Sequence, residues 1–297
     1  MGTFSIKDIE SVSGIKCHTL RIWEQRYNIL SPKRTETNIR YYDDEDLKLI
    51  LNISILNKYG YKISDISKMG NIEISEAIMK ISENKNEFSC QLKGLVQAMM
   101  IFDEQEFHKI LTSNIQEFGL EKAMLRIIFP FMKEIGLLWQ TGSAQPSHEH
   151  FASNIIKQKL FVCIDECIGT HRKNYKKFLL FLPENEKHSL GLLFANYLIR
   201  KRGHEVLYLG QELPLKDLKE IFKDSSPDYI FTILTSSHLD IDKQKFVIEL
   251  AESWKGATIF LSGNQFLDAE IILPKQVNLV RSPEELIQVV DQINELK

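Results

Sequence analysis

The sequence is poor in cysteine and contains no long apolar run. Its four cysteines are Cys17, Cys90, Cys163 and Cys167, and no two of them form a Cys-x-x-Cys pair. Cys163 and Cys167 are one helical turn apart, a spacing that suits packing better than a disulfide or a zinc site. The sequence has no signal peptide and no apolar run of about 18 residues. We therefore expect a cytoplasmic protein with reduced thiols and no membrane partner.

Sequence signatures of catalysis and of nucleotide binding are also missing. There is no P-loop, no Gly-x-Gly-x-x-Gly, no metal-ligand cluster and no Ser/His/Asp arrangement, which argues against an enzyme. The net charge of −3 excludes a chain that is basic throughout, so any nucleic-acid binding must be local. A length of 297 residues, 43% of them hydrophobic, allows two or three globular domains.

Residues 1–72 form the first predicted domain, a helix-turn-helix followed by a hairpin. Ser5 precedes a short amphipathic helix that has an acidic residue three positions further on. Gly14 separates this helix from a second one over residues 16–27. Residues 14–41 contain six Lys and Arg but only two Glu, which gives a local charge of +4. Such a local excess of cations is typical of a DNA-binding face.

The same segment resembles the winged helix-turn-helix of the MerR family of transcription regulators. The resemblance spans residues 3–70 and is carried by Thr-Leu-Arg-Ile-Trp-Glu-x-Arg-Tyr, Pro-x-Arg-Thr, Asn-x-Arg-x-Tyr and Asp-Leu. It implies that the second helix enters the major groove of double-stranded operator DNA while the hairpin wing grips phosphate and the adjacent minor groove. We expect Trp23 in the core and Glu24 in an ion pair, and RNA polymerase is a further candidate partner. The predicted DNA contacts are His18, Thr19, Arg21, Arg26, Tyr27, Lys33, Arg34, Asn38, Arg40 and Tyr41.

Residues 73–172 form the second predicted domain, a linker followed by four helical segments. The segments cover residues 88–102, 104–117, 120–141 and 147–171, and their short connections predict an antiparallel bundle. MerR-type activators usually dimerise through a single long helix after the DNA-binding domain. No long heptad run follows the first domain here, which argues against this mode of dimerisation.

Residues 173–297 form the third predicted domain, in which apolar and helical stretches alternate five times. This alternation predicts a doubly wound parallel sheet of the flavodoxin-like type. The first apolar run ends at Pro183, and Glu186, His188 and Gly191 follow it in a Glu-x-His-x-x-Gly pattern. Open parallel sheets bind ligands at the carboxyl ends of their strands, so His188 lies where such folds hold cofactors. The alternative is a solvated surface histidine in a strand-to-helix loop.

Glu-x-His-x-x-Gly resembles the signature of cobalamin-binding domains. The resemblance implies that His188 ligates the cobalt, that Glu186 orients the imidazole and that Gly191 lets the helix start approach the nucleotide tail. Thr235-Ser236 and Gly263 are weaker counterparts of two further landmarks, and which hydroxyl replaces the usual serine stays open. The predicted cofactor contacts in this domain are Glu186, His188, Ser189, Gly191, Thr235, Ser236 and Gly263.

Trp139 precedes Glu149 and His150 with nine residues between Trp139 and Glu149. This spacing resembles the helical cap over the upper face of cobalamin in the CarH/CarA/LitR branch of MerR-type photoreceptors. Taken alone, the same residues suit a bundle core and an ordinary first helical turn. The light-sensing branch has a histidine directly after this tryptophan, whereas this chain has Gln140. An amide is a poor cobalt ligand, so the familiar light mechanism is not expected and whether light is the signal stays open.

The resemblances together imply a multidomain α and α/β protein with a winged helix-turn-helix, a helical-bundle cap and a flavodoxin-like sheet. The hypothesis is a transcription regulator, expected to be a repressor, that binds adenosyl- or methylcobalamin between the cap and the α/β domain. The cofactor would control a homo-oligomer (dimer or tetramer) and its DNA binding. The main alternative is a MerR-type regulator whose sensor has lost cobalamin and responds to another effector or to protein contacts. A corrinoid methyl carrier and a purely structural protein are the remaining alternatives.

Overall fold

The fold is known from a computed structural model that describes most of the chain. The described ranges are 4–30, 32–34, 40–70, 72–74, 76–77, 88–140, 144–169, 172–221, 227–236, 242–267 and 270–295, without the side chains of residues 11, 12, 44, 137, 139, 140 and 219–221. The chain divides into two compact units, Met1–Ile155 and Ile156–Lys297. Within the described ranges, no helix is both long enough and apolar enough to cross a bilayer.

The first unit begins with the predicted helix-turn-helix. Helix α1 (Ile6–Ser13) has the predicted capping box, in which Ser5 N–H donates to Asp8 Oδ2 at 2.7 Å and Asp8 N–H donates to Ser5 Oγ at 3.3 Å. Gly14 ends α1 in the left-handed region, and α2 (Cys17–Tyr27) follows. Leu20 and Trp23 of α2 are buried, as predicted. Strands β1 (Lys33–Arg34) and β2 (Arg40–Tyr41) pair antiparallel as the wing.

Helix α3 (Asp44–Lys58) is buried on nearly all sides because two layers cover it. One side packs on α1 and the short α4 (Ile63–Ile66), and another packs on α5 (Ser89–Met100) of the helical bundle. The hydroxyl groups of Tyr59 and Ser89 form a hydrogen bond of 2.9 Å across this contact. Lys93 Nζ donates to the carbonyl of Ser13 at 3.3 Å, and burial lowers the pKa of Lys93. The head, made of the helix-turn-helix and its wing, and the bundle therefore share one compact unit.

The predicted helical bundle follows the head. Its elements are α5, α6 (Glu104–Phe118), α7 (Leu120–Ala123), a π-helical turn (Met124–Ile128), α8 (Phe129–Gln140) and α9 (Pro146–Asp165). The π-helical turn ends two residues before Pro130, which has no N–H to continue the α-helical ladder. Helix α9 ends at Asp165, six residues before the predicted end at 171. The edge-to-face rings of Phe107, Phe131 and Phe151 occupy the centre of the bundle.

The second unit contains a five-stranded, wholly parallel sheet. Its strands are β3 (Lys177–Pro183), β4 (Glu205–Leu213), β5 (Tyr229–Ile233), β6 (Thr258–Ser262) and β7 (Val277–Val280), in the spatial order β4-β3-β5-β6-β7. This is the flavodoxin-like order, and the predicted fold class is confirmed. The order reverses between β3 and β5, so the loops that follow these two strands are neighbours at the carboxyl edge of the sheet.

Helices cover both faces of this sheet. They are α10 (Leu190–Lys201), α11 (Leu215–Ile221), α12 (Lys243–Ser253), the unpredicted short α13 (Asn264–Leu267) and α14 (Pro283–Glu295). Alternating strand residues such as Leu179, Ile230 and Ile259 pack with α12 and Trp254 in one apolar core. Helix α10 packs on β3, β4 and β5, and it also contacts α14. Helices therefore cover both faces of the central strands, as is usual for parallel sheets, whereas the edge strand β4 keeps exposed residues such as Leu207.

His204 is a buried titratable group at the amino-terminal edge of the sheet. Only 1% of its surface is exposed, and Lys176 N–H donates to its Nδ1 at 3.1 Å. Burial and the nearby charge of Arg172 lower the pKa of His204, so the ring is held neutral with its proton on Nε2.

The α/β unit should lose stability as the pH falls below about 6.5, the ordinary pKa of histidine in the unfolded chain. The reason is that the unfolded state binds a proton there which folded His204 resists. His204→Asn keeps an acceptor for Lys176 N–H and removes the titration, so its stability should depend less on pH. Native-state hydrogen exchange of the β3 and β4 amides at pH 7 and pH 5 measures this difference. An equal loss in both proteins would contradict the assignment.

Candidate functional site

The carboxylate of Glu186 joins the two loops at the point where the strand order reverses. Its side chain is 0% exposed. Glu186 Oε2 accepts hydrogen bonds from the backbone N–H groups of Thr235 and Ser236, in the loop after β5, at 2.7 and 2.8 Å. Glu186 Oε1 accepts the Ser236 hydroxyl at 2.9 Å and the His188 N–H at 3.0 Å. One buried carboxylate thus fixes both loops of the predicted site.

The hydrogen bonds keep this buried carboxylate charged. Burial by itself raises the pKa of Glu186, since it disfavours the ionised form. The hydrogen bond from His188 and those from the backbone of Ser236, His188 and Thr235 act in the opposite direction and prevail. The pKa of Glu186 therefore lies well below its usual range, and the group is an acceptor at neutral pH.

His188 is oriented by this carboxylate. Its Nδ1 lies 2.7 Å from Glu186 Oε1 and 3.0 Å from Ser236 Oγ. Because ionised Glu186 can only accept, Nδ1 carries the proton of the neutral ring and Nε2 carries the lone pair. The side chain of His188 is 65% exposed. Among the hydroxyl residues described in the loop after β5, Ser236 is the one whose hydroxyl oxygen lies near both Glu186 and His188.

Close packing requires a glycine at one of the two predicted glycine positions, residue 263, and not at the other, residue 191. Gly263 has φ +97°, and a Cβ there would lie 2.7 Å from the Leu234 carbonyl carbon and closer still to its oxygen. Gly191 has an ordinary φ, and its Cβ would meet only the end of the Ile233 side chain at 3.1 Å. Ser189 is buried and precedes α10 without capping it through its side chain.

The predicted cap residues lie at the end of α8 and the start of α9. The side chains of Trp139 and Gln140 lie outside the described residues. Glu149 is half-buried and His150 is exposed, and Glu149 Oε2 lies 3.4 Å from His150 Nδ1. Their predicted contact with a cofactor stays a prediction.

His148 is a residue of the α9 start that the sequence analysis missed. Its Nδ1 accepts Gln145 N–H at 2.9 Å, and its ring stacks on Phe102 with 4.7 Å between the centroids. Burial lowers the pKa of His148. The sequence did contain a signal for this role: His148 lies three positions after Gln145, and Pro146 between them is typical of the first position of a helix.

The exposed face of α2 differs partly from the predicted one. His18, Arg21 and Arg26 are exposed as predicted, whereas Thr19 and Tyr27 are half-buried. Ile22 and Gln25 are exposed on the same face and were not among the predicted contacts. The helical period of 3.6 residues places both of them beside His18, so periodicity was the signal that could have found them.

Three of the six cations counted in the head are paired with carboxylates. Lys16 lies 2.9 Å from Glu10, Lys33 Nζ lies 2.5 Å from Asp43 Oδ2, and Arg40 Nε lies 3.6 Å from Glu24 Oε2. Arg34 is exposed on β1, and Tyr41 is half-buried on β2. Asn38 lies outside the described residues. The local positive charge of the wing is therefore lower than the residue count suggests.

Two glutamates position α2 within the head. Glu24 accepts the hydroxyl of buried Tyr42 and pairs with Arg40, so its predicted role as an ion-pair partner agrees with this geometry. Burial raises the pKa of Tyr42, and the Glu24 carboxylate raises it further. Glu10 accepts the N–H of Cys17 at 2.9 Å, where α2 begins. The hydrogen bonds from Cys17 and Lys16 lower the pKa of Glu10 to about 2. The sequence analysis did not identify Glu10.

Two protein families match separate parts of the chain. The model described as MerR HTH family regulatory protein matches residues 4–71, and the model described as B12 binding domain matches residues 91–164. The second match covers the helical bundle rather than the α/β unit.

Two curated relatives match most of the chain. The HTH-type transcriptional repressor CarH of Myxococcus xanthus is 24% identical over 269 residues, which are 88% of this chain and 89% of CarH. The repressor CarA of the same organism is 23% identical over 302 residues, which are 98% and 97% of the two chains. These relatives are transcriptional regulators, which agrees with the prediction that the chain is not an enzyme.

A solved structure shares the fold. The monomethylamine corrinoid protein of Methanosarcina barkeri matches with a TM-score of 0.54 and 11% identity, over 66% of this chain and 94% of that protein. At this identity the match shows the fold alone.

Gly263→Ala should destabilise the α/β unit by at least about 2 kcal/mol, because the residue must leave a strained φ and avoid the Leu234 carbonyl. Gly191→Ala should change the stability by less than about 1 kcal/mol, since α-helical φ suits alanine. Urea denaturation of the two variants measures both effects. A mild effect at residue 263 would contradict the packing explanation.

Proposed function

Because the chain joins a MerR-type DNA-binding head to a B12-binding domain and is homologous to the CarH and CarA repressors, we propose that it is a cobalamin-controlled transcriptional repressor. The observation that carries the cofactor part is the pairing of buried Glu186 with exposed His188 at the strand-order reversal. The DNA-binding head and its exposed α2 face support the operator-binding part.

The head supplies a face suited to a major groove. Arg21 and Arg26 are exposed on α2, and guanidinium groups bind phosphates and base edges. Glu10 fixes the start of α2, and Glu24 links α2 to Arg40 of the wing. These contacts hold helix and wing in one geometry, which lowers the entropy lost on binding DNA.

The residues around His188 fit a cobalamin on chemical grounds. An imidazole with a hydrogen-bonded carboxylate at Nδ1 is the usual arrangement of a metal-ligating histidine. With Nδ1 engaged, Nε2 is the nitrogen that would ligate cobalt. Ser236 and the backbone N–H groups of Thr235 and Ser236 satisfy the remaining lone pairs of Glu186, so the carboxylate can stay charged while buried.

A bound cobalamin would supply a cobalt centre that can accept an imidazole ligand. His188 would then hold the corrinoid at the sheet edge, and Glu186 would fix the ring orientation and make the imidazole a stronger donor. Ser189 and Gly191 border the loop at the start of α10. The family resemblance implies that Trp139, Glu149 and His150 would cover the side of the cofactor opposite His188.

Control of DNA binding requires that the cofactor prefer one assembly of the chain over another. A ligand shifts such an equilibrium only by its difference in affinity for the two states. Two heads held in one homo-oligomer (dimer or tetramer) bind two half-sites with a high effective concentration. A change of assembly would therefore switch repression without altering a base contact. The head and the bundle share one compact unit, in which α3 packs on α5, so a change of assembly in the bundle would act on the head directly.

His188→Ala should weaken cobalamin binding more than tenfold and change the visible spectrum of the bound cofactor, because the imidazole ligand is lost. The measurement is equilibrium titration of the full chain with methyl- and adenosylcobalamin in the dark, followed by absorption spectra. His108→Ala is the matched control, since His108 lies on α6 and forms only a surface contact with Glu104.

The possible outcomes separate the parts of the proposal. An unchanged spectrum and affinity in the His188 variant would remove His188 as ligand. A wild-type sample that stays colourless with both cobalamins would contradict cofactor binding and favour a sensor for another effector. Size-exclusion chromatography of the same samples, before and after illumination, reports on assembly and on light.

Arg26→Ala should weaken DNA binding to a similar degree on all sequences and lower the salt slope of log K by about one, because one phosphate contact is lost. Filter binding over a series of salt concentrations measures the slope. Lys245→Ala, an exposed cation in the other compact unit, is the control. A loss limited to one operator sequence would show that Arg26 contacts a base instead.

A further inference from the structure

The exposed face of α2 has an apolar residue among polar ones. Every residue of α2 is described, and its exposed side chains are those of His18, Arg21, Ile22, Gln25 and Arg26. Ile22 is 44% exposed, whereas its neighbours Leu20 and Trp23 are buried in the head. Nearly half of the Ile22 surface is thus left outside the core of the head.

The helical period places Ile22 between the two cations of this face. At about 100° per residue, Arg21 lies roughly 100° from Ile22 on one side and Arg26 lies roughly 40° from it on the other. His18 and Gln25, one turn before and one turn after Ile22, lie between Arg21 and Ile22 on the helix circumference. Ile22 therefore belongs to the middle of the face, and the two arginines flank it.

The flanks and the middle of the exposed α2 face would contact different parts of a DNA duplex. A recognition helix in the major groove is bordered on both sides by the phosphates of the two strands, while its middle faces the base edges. Arg21 and Arg26 suit the flanking phosphates. The middle residues are then the ones that can read sequence, and Ile22 has no hydrogen-bonding group in its side chain.

An apolar side chain can recognise one feature of the major-groove edge, which is the C5-methyl group of thymine. We propose that Ile22 is a specificity-determining residue that contacts the methyl group of a thymine in each operator half-site. Gln25, which can bond the N6 and N7 positions of adenine, is the adjacent reader on the same face. The inference rests on the proposed function, because it concerns how the same head reads its operator.

The test removes the methyl group from the DNA and the side chain from the protein. Full-length protein first selects its binding sequence from a random-sequence duplex pool. Each thymine of the selected site is then replaced in turn by deoxyuridine, which pairs identically but lacks the methyl group. Dissociation constants are measured for wild-type protein and for Ile22→Ala at one fixed salt concentration.

One thymine position in each half-site should respond. Replacing it should weaken wild-type binding about fourfold for each half-site, the effect expected for one buried methyl group. Ile22→Ala should weaken binding to the thymine duplex by a similar factor or more. The two losses should not add, because each change removes the same contact.

The control variant is Ile72→Ala, which removes an isoleucine that is 76% exposed and lies outside α2. It should bind the thymine and deoxyuridine duplexes in the same ratio as wild type does. Circular dichroism and unchanged salt slope would show that Ile22→Ala keeps its fold and its phosphate contacts.

The outcomes distinguish this inference from the proposed function. If no sequence is enriched and no duplex is bound, the repressor function itself fails. If the protein selects a site but the losses from Ile22→Ala and from every deoxyuridine add, Ile22 does not contact a thymine methyl group and the inference is wrong. A non-additive loss at one thymine per half-site supports it.

Discussion

The α/β unit depends on one buried carboxylate that holds two loops together. Glu186 lies in the loop after β3, and it accepts hydrogen bonds from the loop after β5 as well as from His188. An ionised group without solvent contact is stable only when its lone pairs are satisfied, so the positions of Thr235 and Ser236 are tied to that of Glu186. The orientation of the His188 imidazole follows from this constraint. A displaced β5 loop would leave both the charge and the ring without support.

Buried or partly buried carboxylates also set the geometry of the DNA-binding head. Glu10 receives the N–H of Cys17 at the start of α2, and Glu24 receives the Tyr42 hydroxyl and pairs with Arg40 of the wing. Glu10 is exposed enough that its interactions are screened, so its role is to fix geometry rather than to supply stability. Helix α3 then carries the head into the bundle through α5. The recognition face and the bundle therefore belong to one compact unit.

Local patterns predicted most elements of the fold. The Ser5–Asp8 capping box, the five apolar runs of the sheet and the first two breaks between bundle helices all rest on neighbouring residues, and the structure agrees with each of them. Residues 142 and 143 of the third predicted break lie outside the described residues. The end of α9 was placed six residues too late, because apolar periodicity continues beyond Asp165 while the helix does not. The short α13 escaped notice for the opposite reason: four residues give no periodic signal.

The sequence by itself determined where the predicted sites lie in the chain, since Glu-x-His-x-x-Gly after a buried strand and the cationic helix-turn-helix are both contiguous patterns. Only the tertiary structure showed that the Ser236 hydroxyl reaches Glu186, because Thr235 and Ser236 are adjacent in sequence and both carry a hydroxyl. The same holds for the wing, where Asp43 and Glu24 pair with Lys33 and Arg40. It also holds for Gly263, where the Leu234 carbonyl at the end of the neighbouring strand leaves no room for a side chain. Each of these contacts joins residues that are distant in sequence, and no local pattern encodes them.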